Sequence, residues 1–260
     1  MNSDRSTGDW KDRMFRTHAD AFAAIASARP MAADLSALFS DARSGAGRLA
    51  ILDLGCGSGR FLRPLAQLAS LVVGLDYSPE LLERAAVVSR EWSNTVLVRG
   101  DARRLEETFV AGEFDGILRA YTSLGYFPRD VEREILRQCA YITRPGGKLV
   151  IDCFNKAWFE VHGRISRSTV LDTFALEEEY AWDAARDAVV CTWRYVRTGS
   201  PAVEIPFTLD GYGADAMVEV LRATGWGTPR FVEDLATCKS VADPSACERI
   251  VAIATRADSA

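Results

Sequence analysis

The sequence has few of the features that settle a protein's chemistry at a glance. Its six cysteines (Cys56, Cys139, Cys153, Cys191, Cys238, Cys247) are scattered, with no C-x-x-C pair, so neither a zinc site nor a disulfide framework is signalled and reduced thiols are expected. Histidine is nearly absent: His18 and His162 are the only two. No run of about 18 apolar residues exists for a membrane span, and the first residues lack the apolar stretch of a secretory signal. A cytoplasmic protein with no membrane partner is therefore expected. Positive charge is not in excess either. The net charge of −5 argues against a surface that holds nucleic acid by neutralising phosphates. There is no repeat of fixed period and no low-complexity tract.

What is present is an ordinary globular composition, 48% hydrophobic and 26% charged over 260 residues, enough for one sizeable domain with a lid. Residues 11–40 carry apolar positions at helical spacing, broken by Pro30, and predict two helices. The turn-rich segment 41–47 leads into a buried strand, Leu49–Asp53. Strands and helices then alternate: helix 60–69, strand Leu71–Asp76, helix 79–92, strand Thr95–Arg99, strand 114–120, helix 129–143 and, after the turn Arg144-Pro-Gly-Gly147, strand 148–153. The pattern changes at about Ser168. Two β-rich stretches, 169–182 and 189–196, flank a turn at 183–187, and 203–209 could add a third strand. A helix over 215–224 and a strand over 249–255 then resume the core. The prediction is an α/β fold: a doubly wound, mostly parallel seven-stranded sheet of Rossmann-like type, with an N-terminal helical lid and an antiparallel β insertion. As one domain it divides into a lid (1–44), a core (45–155), an insertion (156–212) and core completion (213–260).

The most informative stretch is Ile51-Leu-Asp-Leu-Gly-Cys-Gly-Ser-Gly-Arg60, a buried strand running into a glycine-rich turn and a helix. Gly55 permits a tight turn, Gly57 lets backbone approach a ligand, and Gly59 allows close helix packing. Dinucleotide binding calls for a third glycine after two intervening residues. Here that place is Arg60, which weakens a pyrophosphate reading. Asp76 ends the second strand where a carboxylate can accept both hydroxyls of a ribose. Asp101 follows the third strand, where it can accept an adenine amino group while the Ala102 amide meets the ring. Either acid alone could be a helix cap or a solvated loop charge; together with the glycine turn they converge on one crevice.

These residues resemble the class I S-adenosylmethionine-dependent methyltransferases, whose first motif is similar to Leu52-Asp-Leu-Gly-Cys-Gly-Ser-Gly59 and whose second ends in an acid at the place of Asp76. The segments 114–127 and 136–149 are similar to that class's fourth strand and the helix and proline-glycine turn after it. The resemblance, strongest over 49–155, implies S-adenosylmethionine as cofactor. It implies Asp53, Gly55, Cys56, Gly57 and Gly59 near the methionyl part, Asp76 at the ribose, Asp101 and Ala102 at the adenine, Arg119 and Ala120 flanking the cofactor, and Tyr77 among the cofactor-binding residues. The Thr-Ser-Leu-Gly-Tyr-Phe form of the fourth motif, with the insertion, resembles bacterial small-molecule methyltransferases, among them amino-sugar and natural-product tailoring enzymes. No Asn-Pro-Pro-Tyr or Asp-Pro-Pro-Tyr follows the fourth strand. The implied activity is methyl transfer to an oxygen or nitrogen of a small-molecule acceptor. An RNA-base methyltransferase and a cofactor-binding relative without transfer activity are the alternatives, and a homodimer is left open.

Methyl transfer from a sulfonium is an in-line displacement with a neutral leaving group, so alignment and exclusion of water can supply much of the catalysis. If a general base is needed, His18 in the lid and His162 at the start of the insertion are the candidates, each weighed against a packing or surface role. Tyr121 and Tyr126, beyond the fourth strand, are candidates for the acceptor pocket. Trp158, with Phe159, Trp182 and Trp193, is expected either in an aromatic wall beside the acceptor or in the core.

Overall fold

The computed structural model describes residues 7–28, 35–39, 42 and 49–257. Five apolar-rich segments with β-branched or glycine residues form its parallel strands: β1 (Ala50–Leu54), β2 (Leu71–Asp76), β3 (Thr95–Arg99), β4 (Phe114–Arg119) and β5 (Thr143–Phe154). β1 and β4 are buried along their whole length, as strands covered on both faces must be. Two later strands, β10 (Arg230–Val232) and β11 (Arg249–Thr255), complete a seven-stranded sheet in the order β10-β11-β5-β4-β1-β2-β3. β11 runs antiparallel to both of its neighbours, and the other pairings are parallel. The order reverses between β1 and β4, so a crevice opens outside the carboxyl ends of those two strands.

Helices α4 (Leu62–Leu68), α5 (Pro79–Ser89) and α7 (Arg129–Ile142) cover the sheet, with the short α6 (Leu105–Thr108) and α9 (Ala214–Ala223). Ser78 caps α5 by accepting from the Leu81 amide, and Pro79 starts it. One core cluster gathers Leu52, Leu54, Ile117 and Leu149 on the face under α7 and α9. A second, on the other face, gathers Ile51, Val72, Leu118 and Val150 under α4. At the amino end of the sheet the buried Asp115 accepts from the Ala50 amide at 2.8 Å and pairs with Arg144 at 2.7 Å, tying β1, β4 and the start of β5 together.

A separate antiparallel sheet, β6 (Arg164–Val170), β7 (Ala175–Asp183), β8 (Ala188–Val196) and β9 (Val203–Asp210), has its strands in sequence order. The predicted stretch 169–182 is thus two strands broken at 171–174. That break, Leu171-Asp-Thr-Phe174, contains no glycine or proline to announce it. Helix α8 (Lys156–His162), capped by Asn155, precedes the sheet and was not predicted. The N-terminal segment holds α1 (Thr7–Asp12), a π-helical turn over 13–17, α2 (Ala19–Ala28) and α3 (Ser36–Phe39), rather than two helices. Pro30 and nearly all of the turn at 41–47 lie outside the described residues. A third core cluster joins Trp10, Phe15 and Ile25 of this segment to Leu176, Val189, Trp193 and Phe207 of the antiparallel sheet. No described helix is long and apolar enough to cross a membrane.

Candidate functional site

Four strand ends and the N-terminal segment enclose a cavity of about 360 Å³. β1 delivers Asp53 to it, almost wholly buried and with Oδ2 lacking a hydrogen-bond partner. Burial, aided by the neighbouring Asp76 charge, pushes the Asp53 carboxyl up to about 8. The turn after β1 runs through Gly55, Gly57 and Gly59 at φ +78°, +53° and +87°, a left-handed backbone that side chains resist. The amides of Gly55 and Cys56 donate to the Leu75 carbonyl at 2.8 and 3.0 Å, docking the turn on β2. Gly55, Cys56 and Gly57 line the cavity. Gly59 stands outside it. A Cβ there would lie 3.0 Å from the Ala85 Cα, so this glycine serves the contact with α5.

β2 ends in Asp76, whose Oδ2 accepts from the Gly57 amide at 2.8 Å and Oδ1 from the Ser78 amide at 2.9 Å. Each oxygen keeps a lone pair for a ligand. Burial raises this carboxyl despite those bonds. Tyr77 follows it into the cavity wall. Asp101 and Ala102, after β3, form another part of the lining, and Arg103 grips Asp101 at 2.6 to 3.0 Å, holding its carboxyl below the usual range. Arg119 and Ala120 at the end of β4 bring the fourth strand to the same space.

The loop 121–127 after β4 is fastened by a residue that sequence reading missed. Glu132 of α7, with no solvent exposure, accepts from the Gly125 and Phe127 amides at 2.9 and 3.1 Å and from Arg119 Nη2 at 2.6 Å. Arg119 also donates to the Ser123 carbonyl at 2.8 Å. Its i+13 spacing from Arg119 gave no local sign of the pairing. On the other flank Asp152 accepts from the Tyr121 amide at 3.0 Å and from Arg249 Nε at 2.6 Å, while Arg249 reaches Thr122 Oγ1 at 2.8 Å. Between these anchors Tyr121 and Thr122 adopt φ +56° and +67°, unusual for side chains of their size.

The roof of the cavity is Lys11, Asp12, Phe15, Phe22 and Ala26. It is pinned down by Ser78 Oγ donating to the Phe15 carbonyl at 2.7 Å and Arg60 Nη1 donating to the Ala26 carbonyl at 2.7 Å. Lys11 Nζ stands 3.8 Å from the Phe127 ring centre, and burial lowers its ammonium to about 8. Tyr126 lies in the lining, edge-on to Trp10 at 5.4 Å between centroids.

The histidines are elsewhere. His18 stacks on Tyr195 at 5.1 Å, its pKa lowered by burial, and lies outside the cavity lining. His162 ends α8 exposed, stacked on Trp158 at 4.0 Å with Nδ1 at 2.9 Å from the Trp158 carbonyl. The i,i+4 spacing along α8 makes these two rings each other's partners and keeps Trp158 out of the cavity as well. Phe159 and Trp193 are buried in the core cluster behind the roof, with Trp182 packed against it.

An amino-acid ammonium beside Asp53, vicinal hydroxyls at Asp76 and a donor-bearing heterocycle at Asp101 are what this arrangement can hold. Residues 51–147 match the family described as a methyltransferase domain. A ubiquinone biosynthesis O-methyltransferase of Xanthomonas axonopodis pv. citri (strain 306) is 32% identical over 106 residues, 41% of this chain and 43% of that protein. The chain thus covers less than half the length of that curated relative. Among solved structures, the CcbJ methyltransferase from Streptomyces caelestis superimposes with a TM-score of 0.73 at 20% identity, covering 90% of this chain and 92% of that one. The S-adenosylmethionine-bound amino pentose methyltransferase from Micromonospora echinaspora gives 0.62 at 17%, covering 98% and 97%. The chain therefore has the Rossmann-like fold of these solved methyltransferases, and its residues 51–147 match the methyltransferase-domain family.

Proposed function

We propose that the protein transfers the methyl group of S-adenosylmethionine to an oxygen or nitrogen atom of a small molecule. The observation that carries this reading is the unpartnered, buried Asp53 oxygen in a cavity whose other acids, Asp76 and Asp101, stand at the ends of successive strands. A buried carboxylate without a partner is costly and fits a cationic group brought by a ligand. Asp53 and the turn of Gly55, Cys56 and Gly57 would hold the methionyl ammonium and backbone, Asp76 the ribose beside Tyr77, and Asp101 with Ala102 the adenine. Gly59 shapes the turn, while Arg119 and Ala120 form the floor. The cofactor supplies a sulfonium-bound methyl group, activated for attack by a nucleophile in line with the breaking bond.

The chain's own part is alignment and exclusion of water. Phe15, Phe22 and the rings of Tyr121 and Tyr126 make much of the lining apolar, favouring collapse of separated charge as the methyl group moves to its acceptor. With His18 and His162 outside the lining, a histidine base is not part of the proposal. The division into lid, core, insertion and core completion is retained in it, as are a small-molecule acceptor, a cytoplasmic location and no nucleic-acid partner, the last supported by the net charge of −5.

Calorimetry with S-adenosylmethionine, S-adenosylhomocysteine and NAD tests the first step, with binding of the first two and none of the third expected. Incubating the protein with a small-molecule extract and deuteromethyl-labelled cofactor, then searching by mass spectrometry for labelled products, tests the second. Tight NAD binding with no response to either sulfur ligand would overturn the reading.

A further inference from the structure

A second opening, a cleft of about 960 Å³, lies between the carboxyl edge of the parallel sheet and strand β6. It shares two residues with the first cavity, Phe61 and Tyr121, whose rings stand 6.0 Å apart at the border of the two spaces. Arg60 lies over the Tyr121 ring at 4.0 Å from the cavity side. On the cleft side, Asp152 accepts from the Tyr121 amide through Oδ2 and from the Thr122 amide through its carbonyl, each at 3.0 Å, where both residues are left-handed, and Arg249 donates to Thr122 Oγ1. This border, with the Tyr121 backbone fastened, is where ligands held in the two spaces come nearest to each other.

The cleft is charged, and its charges do not cancel. Its carboxylates are Asp152, Glu233, Asp234 and Glu248, and its guanidinium groups are Arg167 and Arg249. Arg249 is matched by Asp152, and Arg167 by Glu248 in an ion pair that links β6 to the segment before β11. That segment is fixed in turn by Asn155, whose side-chain amide donates to the Pro244 and Cys247 carbonyls at 2.8 and 2.7 Å. Glu233 and Asp234 have no ion pair among the described residues. The Asp234 carboxylate accepts the amides of Ala236 and Thr237, each at 2.7 Å. The surplus is therefore negative on the wall facing Arg167 to Thr169, and it raises the local concentration of cations while repelling phosphates and carboxylates.

Resting on the methyl-transfer reading, we propose that this cleft is the acceptor site, that an uncharged oxygen or nitrogen of the acceptor reaches the methyl donor between the Phe61 and Tyr121 rings, and that the site selects acceptors bearing a positive charge elsewhere in the molecule and no phosphate or carboxylate. Glu233 and Asp234 set the charge preference.

The test uses the full chain and three probes of like size: cyclohexylamine, cyclohexanol and cyclohexanecarboxylate. Binding is followed by NMR at pH 7 with and without saturating S-adenosylhomocysteine, whose own affinity is measured first by calorimetry. The amine should bind at least ten-fold tighter than the carboxylate, with the alcohol between them. A Glu233→Gln, Asp234→Asn double variant should bring amine and carboxylate within about two-fold. Ala246→Trp, which fills the cleft, should abolish probe binding and leave S-adenosylhomocysteine affinity unchanged, a control that also reports folding. Equal or reversed preference in the unaltered protein, an amine preference that survives the double variant, or no probe binding at all overturns the proposal. Failure of S-adenosylhomocysteine to bind the unaltered protein overturns the methyl-transfer reading instead, so the two failures are told apart.

Discussion

The two sheets meet at one crevice but build their walls by different means. The parallel sheet contributes strand ends: Asp53, Asp76, Asp101 and Arg119 each lie in the last two positions of a strand or within two residues after it. The antiparallel sheet contributes no residue to the first cavity and reaches the second cleft only through Arg167, Ser168 and Thr169 of its edge strand. Its inward side chains, Leu176, Val189, Trp193 and Phe207, support the N-terminal roof instead. Polar ligand recognition is thus concentrated where strands end, and the added sheet acts as a buttress.

The contrast is broken most severely by removing the fastening of the loop after β4. Glu132→Ala leaves Arg119 charged and buried with the Gly125 and Phe127 amides unpaired, and should cost about 3 to 5 kcal/mol of stability, read from denaturant midpoints. A loss below about 1 kcal/mol would show that the loop holds itself. The next effect falls on ligand binding alone. Asp76→Ala should weaken S-adenosylhomocysteine binding by about 1 to 3 kcal/mol, measured by calorimetry, in a protein that still folds.

Acidity sharpens the same comparison. The folded Asp53 carboxyl, held up to about 8, binds its proton more tightly than in the unfolded chain, where its pKa is about 4. Its contribution therefore lowers stability as pH climbs between those values and levels off above the higher one. A ligand ammonium at Asp53 selects the charged carboxylate, so S-adenosylhomocysteine affinity should rise between pH 6 and 8. Asp53→Asn should flatten both trends, and an unchanged slope in that variant would assign them to other groups. The smallest effect expected is at the histidines: His18→Ala and His162→Ala should leave S-adenosylhomocysteine affinity within about two-fold, since neither ring lines the cavity. A larger change in either would mean that the roof couples to the site through Tyr195 or Trp158.

The parallel half was legible in the sequence because its signals are local. Strands 71–76 and 95–99 and the glycine turn are announced within a few residues, and the bounds agree with β2 and β3. β10, with three residues, is too short to show a period, and the break between β6 and β7 carries no turn residue. The fastenings of the site were illegible for a different reason. Glu132 and Arg119 are separated by the whole loop after β4, and Asp152 and Arg249 by 97 positions, so only the tertiary fold reveals them. The same distance explains the histidines: being near the crevice in chain order did not bring either ring to it.

Glu132 also carries a consequence for how the protein can change. It grips Gly125 and Phe127 by their amides and Ser123 through Arg119, using backbone groups that every amino acid except proline retains. Side chains at Ser123 and Tyr126 can therefore be exchanged while the loop keeps its path. A library confined to those positions, with Glu132 and Arg119 left untouched, gives directed evolution a place to reshape the cavity without having to rediscover the fold.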